Sequence, residues 1–370
     1  MSTQTTEPMF RALSAAVQAN VPTLIWSAPG QGKTAKIEAA GEQWGREVRT
    51  IAASSREAVD FMGLPIEKNG RVEYSPLSWA LDLNKAKKGL LVVDEITTAA
   101  STFKAFLRIV QERYVGELKL ADSVSIVALA NPPEIAVDGI ELPAPVANRF
   151  MHLNWVFDRE EWLDNVGTGF KHTQTPNPST YLTAGTANDR AKASALVVGF
   201  LKHAPQMLND VPDTLEAQGG AWPSARSWTH VIDVLTWVRA DDLDVRDLVV
   251  KGLVGEGAWR MFTAYTSELD LPDPQNVLDD PLSIDWDTLR PDVAFLTLQS
   301  VRDLVLEDGG KQAWENGCTL ASHVAKIGKP DISLPLALSL TSMPWVQDGV
   351  GDDFVEAFSD LMLSTGRIQR

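Results

Sequence analysis

Several things are scarce in this sequence, and each scarcity removes a class of protein. There is one cysteine, Cys318, so no intramolecular disulfide can form, and that usage suits a reducing cytoplasm. We expect Cys318 to be a small buried or incidental residue. The histidines, at positions 152, 172, 203, 230 and 323, are too scattered to make a metal-ligand spacing. No run of about eighteen apolar residues occurs, so no membrane span is expected. Met9, Phe10, Leu13 and Val17 recur at helical spacing rather than as the apolar block of a signal peptide. Basic residues are in deficit: 33 Lys and Arg face 49 Asp and Glu, for a formal net charge of −16. That balance disfavours broad electrostatic attachment to DNA, RNA or anionic membranes, though it permits a local basic groove. There is also no N-K-x-D string of the kind that reads a guanine base.

What is present is concentrated at "SAPGQGKTAKIEAAGEQW", residues 27–44. A short apolar run, Thr-Leu-Ile-Trp at 23–26, precedes it, and Ile37, Ala40, Gly41 and Trp44 fall on one face of a helix after it. Glycines in a strand-to-helix turn are the setting of a phosphate-binding loop. Gly30 and Gly32 let backbone N–H groups of Ala28, Pro29, Gly30, Gln31 and Gly32 (proline excepted, which has none) converge on an anion. The helix start adds the positive end of its dipole. Lys33 supplies a full charge for β- and γ-phosphates, and Thr34 a hydroxyl for Mg²⁺. The pattern G-x-x-x-x-G-K-[ST] normally opens on glycine; here Ser27 stands there, small enough for the turn to survive.

Further strand-like runs fall at 48–52, 90–93, 124–130 and 150–155, with helical patterns between most of them, which predicts a parallel sheet with helices on both faces. "GLPIEKNGRVEYSPLSW" reads as an inserted loop or hairpin, and "RYVGELKLADS" as a second hairpin. Residues 165–189 are polar and rich in Gly, Thr and Pro, a connector. Helical spacing dominates beyond it. The expected organisation is a nucleotide-binding core at 1–164, the connector at 165–189, a helical lid at 190–281 and a helical C-terminal extension at 282–370.

"LLVVDEITT" is a buried strand ending in two carboxylates. Beside a phosphate loop, Asp94 can hold the Mg²⁺ shell and Glu95 can deprotonate an attacking water. "IVALANPPE" puts Asn131 at another strand end, where it either meets the γ-phosphate or merely opens a turn before proline. Arg149 precedes the last strand, and alone would read as a surface arginine. Arg226 follows Ser224, a reasonable helix N-cap. A cation in a first helical turn is mildly unfavourable, which favours a functional reason for it.

In this order, Gly30-x-Gly32-Lys33-Thr34, Asp94-Glu95, Asn131, Arg149 and Pro223-Ser224-x-Arg226-Ser227-Trp228 resemble an AAA+ ATPase, a P-loop NTPase with an αβα core on a five-stranded parallel sheet. "DEITTAASTFKAFLRIVQERYVGEL", "ALANPPEIAVDGIELPAPVANRF" and "VKGLVGEGAWRMFTAYTSELDLPDP" narrow the resemblance to the MoxR-like branch, which carries an insert in helix 2. The resemblance implies ATP and Mg²⁺ as ligands. It makes Asn131 sensor 1, Arg149 an arginine finger reaching a neighbouring subunit, and Arg226 sensor 2, in its own subunit or the next. Arg113 is the runner-up for the finger. The resemblance further implies a hexameric ring, inserts near 64–75 and 114–121 facing its pore, chaperone-like remodelling and a von Willebrand factor A domain partner. A nucleotide-gated switch and a DNA-processing motor are the alternatives.

Overall fold

A computed structural model of the chain describes residues 7–97, 100–132, 142–167, 175, 177–269 and 271–364. Among the described residues nine strands form: β1 (Thr23–Trp26), β2 (Glu47–Ala52), β3 (Leu64–Lys68), β4 (Arg71–Ser75), β5 (Gly89–Asp94), β6 (Tyr114–Val115), β7 (Leu118–Lys119), β8 (Val124–Ala130) and β9 (Met151–Asn154). Five of them make one sheet in the order β2-β5-β8-β1-β9, and every neighbouring pair is parallel. The sheet is parallel, as the strand–helix alternation predicted, and five-stranded, as expected of the αβα core of a P-loop NTPase.

Position in that sheet explains each strand's composition. The inner strands β5 (Gly-Leu-Leu-Val-Val-Asp) and β8 (Val-Ser-Ile-Val-Ala-Leu-Ala) are covered on both faces, so they are almost continuously apolar. At one edge, β2 carries Glu47 and Arg49, which pair with each other, and Arg49 also reaches Asp82. Charges on an edge strand discourage pairing with another chain. One core layer packs Leu24, Leu91, Val93 and Ala128 of the sheet against Phe61, Phe106, Ile109 and Phe150. Arg46 lies buried beneath the sheet, its guanidinium donating to Val17 O, Gly89 O and Ser125 Oγ at 3.0–3.2 Å. Burial pulls its pKa down to about 10.

Both inserts are antiparallel hairpins, β3–β4 and β6–β7. In β3–β4 the side chains of Leu64, Ile66, Val72 and Tyr74 are exposed, and Asn69-Gly70 turn with φ of 54° and 72°.

The chain forms two compact units: residues 1–183 with 206–260, and residues 184–205 with 261–370. The second is helical. Its helices include Ala187–His203, Pro291–Asp308, Lys311–Lys326, Pro330–Leu340 and Asp352–Ser364, gathered around Trp286, Trp314, Leu304, Val324, Leu336 and Phe354. Thr186 and Asp189 make a reciprocal cap at the first of these. Cys318 is buried there with its thiol pKa pushed up to about 12, so it stays protonated and acts as an apolar side chain. Among the described residues no helix is long and apolar enough to cross a membrane.

Candidate functional site

One residue past β1, Ser27 still donates its N–H to Ala130 O at 3.0 Å, so the loop leaves the sheet tied to β8. Its buried hydroxyl turns onto the loop itself, donating to Ala28 O at 2.9 Å. A small side chain thus occupies the place where the pattern has glycine. Gly30 and Gly32 have φ of 77° and 72°, and a Cβ at either would meet no atom within 4 Å. What demands glycine is therefore the backbone angle and not crowding. The helix Lys33–Gln43 starts at Gly32 with no side-chain cap and no acidic residue in its first turn. Its leading N–H groups and positive dipole end suit an anion.

Lys33 is buried, and its Nζ donates to Asn131 Oδ1 at 2.7 Å. Burial lowers its pKa, while the charges of Asp94 and Glu95 act in the opposite direction. Thr34 Oγ1 donates to Asp94 Oδ2, and the other oxygen of Asp94 accepts the Glu95 N–H at 2.8 Å. Glu95 has φ of 55°, a left-handed conformation that costs a non-glycine residue about 1–3 kcal/mol and recurs at functional sites. Its carboxylate accepts from the hydroxyl of Ser54, in the short turn Ala53–Ser55 that follows β2. Lys33, Thr34, Asp94, Glu95 and Asn131 thus converge at the C-terminal ends of β1, β5 and β8. Ser54 joins them although nothing in its local sequence marks it.

The two arginines lie elsewhere. Arg149 stands two residues before β9, and Met151 N–H donates to Pro22 O at 2.8 Å. Because β9 runs parallel to β1, this is the N-terminal edge of the sheet, and the four residues of β1 separate it from the loop by about 13 Å. Arg149 donates to Pro145 O. Its pKa lies below the usual value, first through partial burial and then through the neighbouring charge of Arg226. Arg226 is exposed in the first turn of the helix Ala225–Leu235, whose start is held by the reciprocal cap of Ser224 and Ser227. Arg149 and Arg226 therefore lie within electrostatic reach of each other.

Arg113 has a structural task. Its Nη2 donates to Ala121 O and Val124 O, both at 2.6 Å, pinning the end of the β6–β7 hairpin to the start of β8. An arginine held by two internal carbonyls is poorly placed to reach a neighbouring subunit.

No protein-family model matches this sequence, and no curated protein does. Among solved structures it is similar to one described as "a putative ATPase" from Cytophaga hutchinsonii ATCC 33406. The identity is 14% and the TM-score 0.46, over 72% of this chain and 90% of that one. The fold assignment rests on this chain's own strand order and loop.

Proposed function

We propose that the chain binds ATP at residues 28–34 and hydrolyses it. The observation that carries this reading is the convergence of Lys33, Thr34, Asp94, Glu95 and Asn131 at one set of strand ends beside an uncapped helix start. Lys33 would exchange part of its pairing with Asn131 for the β- and γ-phosphates. The Thr34 hydroxyl and the Asp94 carboxylate are hard oxygen donors already directed at each other, a set that suits Mg²⁺. When bound, the ion neutralises charge on the phosphate oxygens. Glu95 takes a proton from water as its oxygen bonds to the γ-phosphorus. The bond from that phosphorus to the β–γ bridging oxygen breaks, and ADP leaves.

Arg149 and Arg226, at the opposite edge, fit the reading that both serve the site of an adjacent subunit. A guanidinium supplied in trans stabilises charge on the transferring phosphoryl group. On the resemblance to the MoxR-like branch, the assembly is a hexameric ring that remodels a protein complex with a von Willebrand factor A domain partner. The exposed apolar side chains of β3–β4 suit contact with a protein substrate. The Ser54–Glu95 hydrogen bond favours a second reading, in which Glu95 is held back and nucleotide binding alone gates a docking surface.

The test is Mg²⁺-dependent ATP hydrolysis together with titration of a fluorescent ATP analogue. We expect turnover in the wild type, and binding weakened about a hundredfold or more in Lys33→Ala, which loses charge-assisted hydrogen bonds to two phosphates. Equal affinity in the two proteins contradicts the assignment. Tight binding without turnover selects the second reading.

A further inference from the structure

Arg149 and Arg226 carry like charges and stand close enough for one to depress the pKa of the other. Left to themselves they would separate, so something must hold the two segments together. Asn148, the residue before Arg149, is buried at 4% exposure. Its Oδ1 accepts from Ser224 Oγ at 2.6 Å, and its Nδ2 donates to Trp222 O at 2.9 Å. Both partners lie just ahead of the Arg226 helix, and Ser224 is that helix's N-cap. Asn148 therefore spans from the residue next to Arg149 to the cap above Arg226.

On its other side the same turn hangs from the strand that carries the phosphate loop. The indole N–H of Trp26, the last residue of β1, donates to His152 Nδ1 at 3.0 Å, and His152 Nε2 lies 2.9 Å from Ala147 O. An indole N–H only donates and a carbonyl only accepts, so His152 must be neutral with its proton on Nε2. Burial keeps it so. A hydrogen-bonded path thus runs from Trp26 through His152 to Ala147, and from the adjoining Asn148 to Trp222 and Ser224.

We propose that Asn148 is a positioning residue: with Ser224 it sets the Arg149–Arg226 pair as one preformed dication for an incoming phosphoryl group. This rests on the reading that the arginines serve a neighbouring subunit's ATP. An asparagine is suited to the task because it offers a donor and an acceptor without a charge. An aspartate there would lose the bond to Trp222 O and would draw Arg149 onto itself.

The experiment compares Asn148→Ala, Ser224→Ala and Ser224→Thr with the wild type, in ATP affinity, kcat and subunit mixing. Asn148→Ala should lower kcat at least tenfold while affinity stays within about twofold. Ser224→Ala, which disturbs the fold less, should lower kcat several-fold, and Ser224→Thr, which keeps the hydroxyl, should recover most of that loss. Mixing Asn148→Ala with Glu95→Gln subunits should restore turnover, as mixing Arg149→Ala with Glu95→Gln should. The intact Glu95 sites then receive well-set arginines from their neighbours. The proposal is overturned if folded Asn148→Ala and Ser224→Ala keep wild-type kcat. It is equally overturned if mixing rescues Arg149→Ala and not Asn148→Ala. If mixing fails to rescue even Arg149→Ala, the underlying reading fails, and the proposal with it.

Discussion

The two edges of the central sheet are built on opposite principles. At the C-terminal edge each charged side chain is paired with a neutral polar one: Lys33 with Asn131, Asp94 with Thr34, Glu95 with Ser54. At the N-terminal edge two positive charges, Arg149 and Arg226, lie within electrostatic reach of each other. The first arrangement keeps its charges stable within one chain until a ligand replaces some of the partners. The second is electrostatically unfavourable alone and becomes favourable only when an anion arrives. On the proposed reading, a second copy brings its arginine edge to the phosphate-loop edge of the first.

Removing the dication should break this comparison most severely. Arg149→Ala should bind ATP with near wild-type affinity and lose about a thousandfold in kcat, the scale of an arginine finger; initial-rate assays with analogue titration check both. Loss of affinity matching loss of rate would place Arg149 at its own loop. Glu95→Gln affects the other edge. It keeps size and hydrogen-bonding reach but loses the base, so we predict a fall in kcat of about a hundredfold or more with ATP retained. Hydrolysis at the wild-type rate would remove Glu95 from the base's role.

A smaller effect sharpens the connection between the edges. His152 titrates at about 4 in the fold, below its ordinary value of 6.5. Between those values the unfolded chain binds a proton that the folded one does not, so this group's stability contribution is full above 6.5 and declines as pH falls toward 4. Between pH 6.5 and 5 the loss is about 1.6 kcal/mol. Urea unfolding at both pH values should show that loss in wild type and not in His152→Gln, since other groups contribute equally to both. Parallel pH dependences in the two proteins would mean that His152 is not held neutral.

The site was legible in the sequence because inner parallel strands are written as apolar runs. The residues at which such runs stop, Asp94 after Leu-Leu-Val-Val and Asn131 after Ile-Val-Ala-Leu-Ala, mark the strand ends. Glycine with lysine at 30–33 marked the loop by backbone necessity. Ser54 was not legible: it lies 41 residues from Glu95, in a short turn with no periodicity. The Asn148–Ser224 bond spans 76 residues, and neither residue type announces a partner. Arg113 read as an interface candidate because it stands just ahead of a hairpin, whereas its fork is spent on the carbonyls of Ala121 and Val124. The helical patterning after residue 190 showed that those segments pack. An amphipathic stripe does not name its partner, so the association of 184–205 with 261–370 had to come from the structure.

The central claim, that each site is completed by the opposite edge of another copy, is tested most directly by mixing Arg149→Ala with Glu95→Gln subunits and following phosphate release against total protein concentration. Each variant alone should be nearly inactive. The mixture should recover a substantial fraction of wild-type turnover, rising with concentration as mixed assemblies form. Mixed assemblies demonstrated by pull-down of a tagged variant, yet no more active than their parents, would contradict the account.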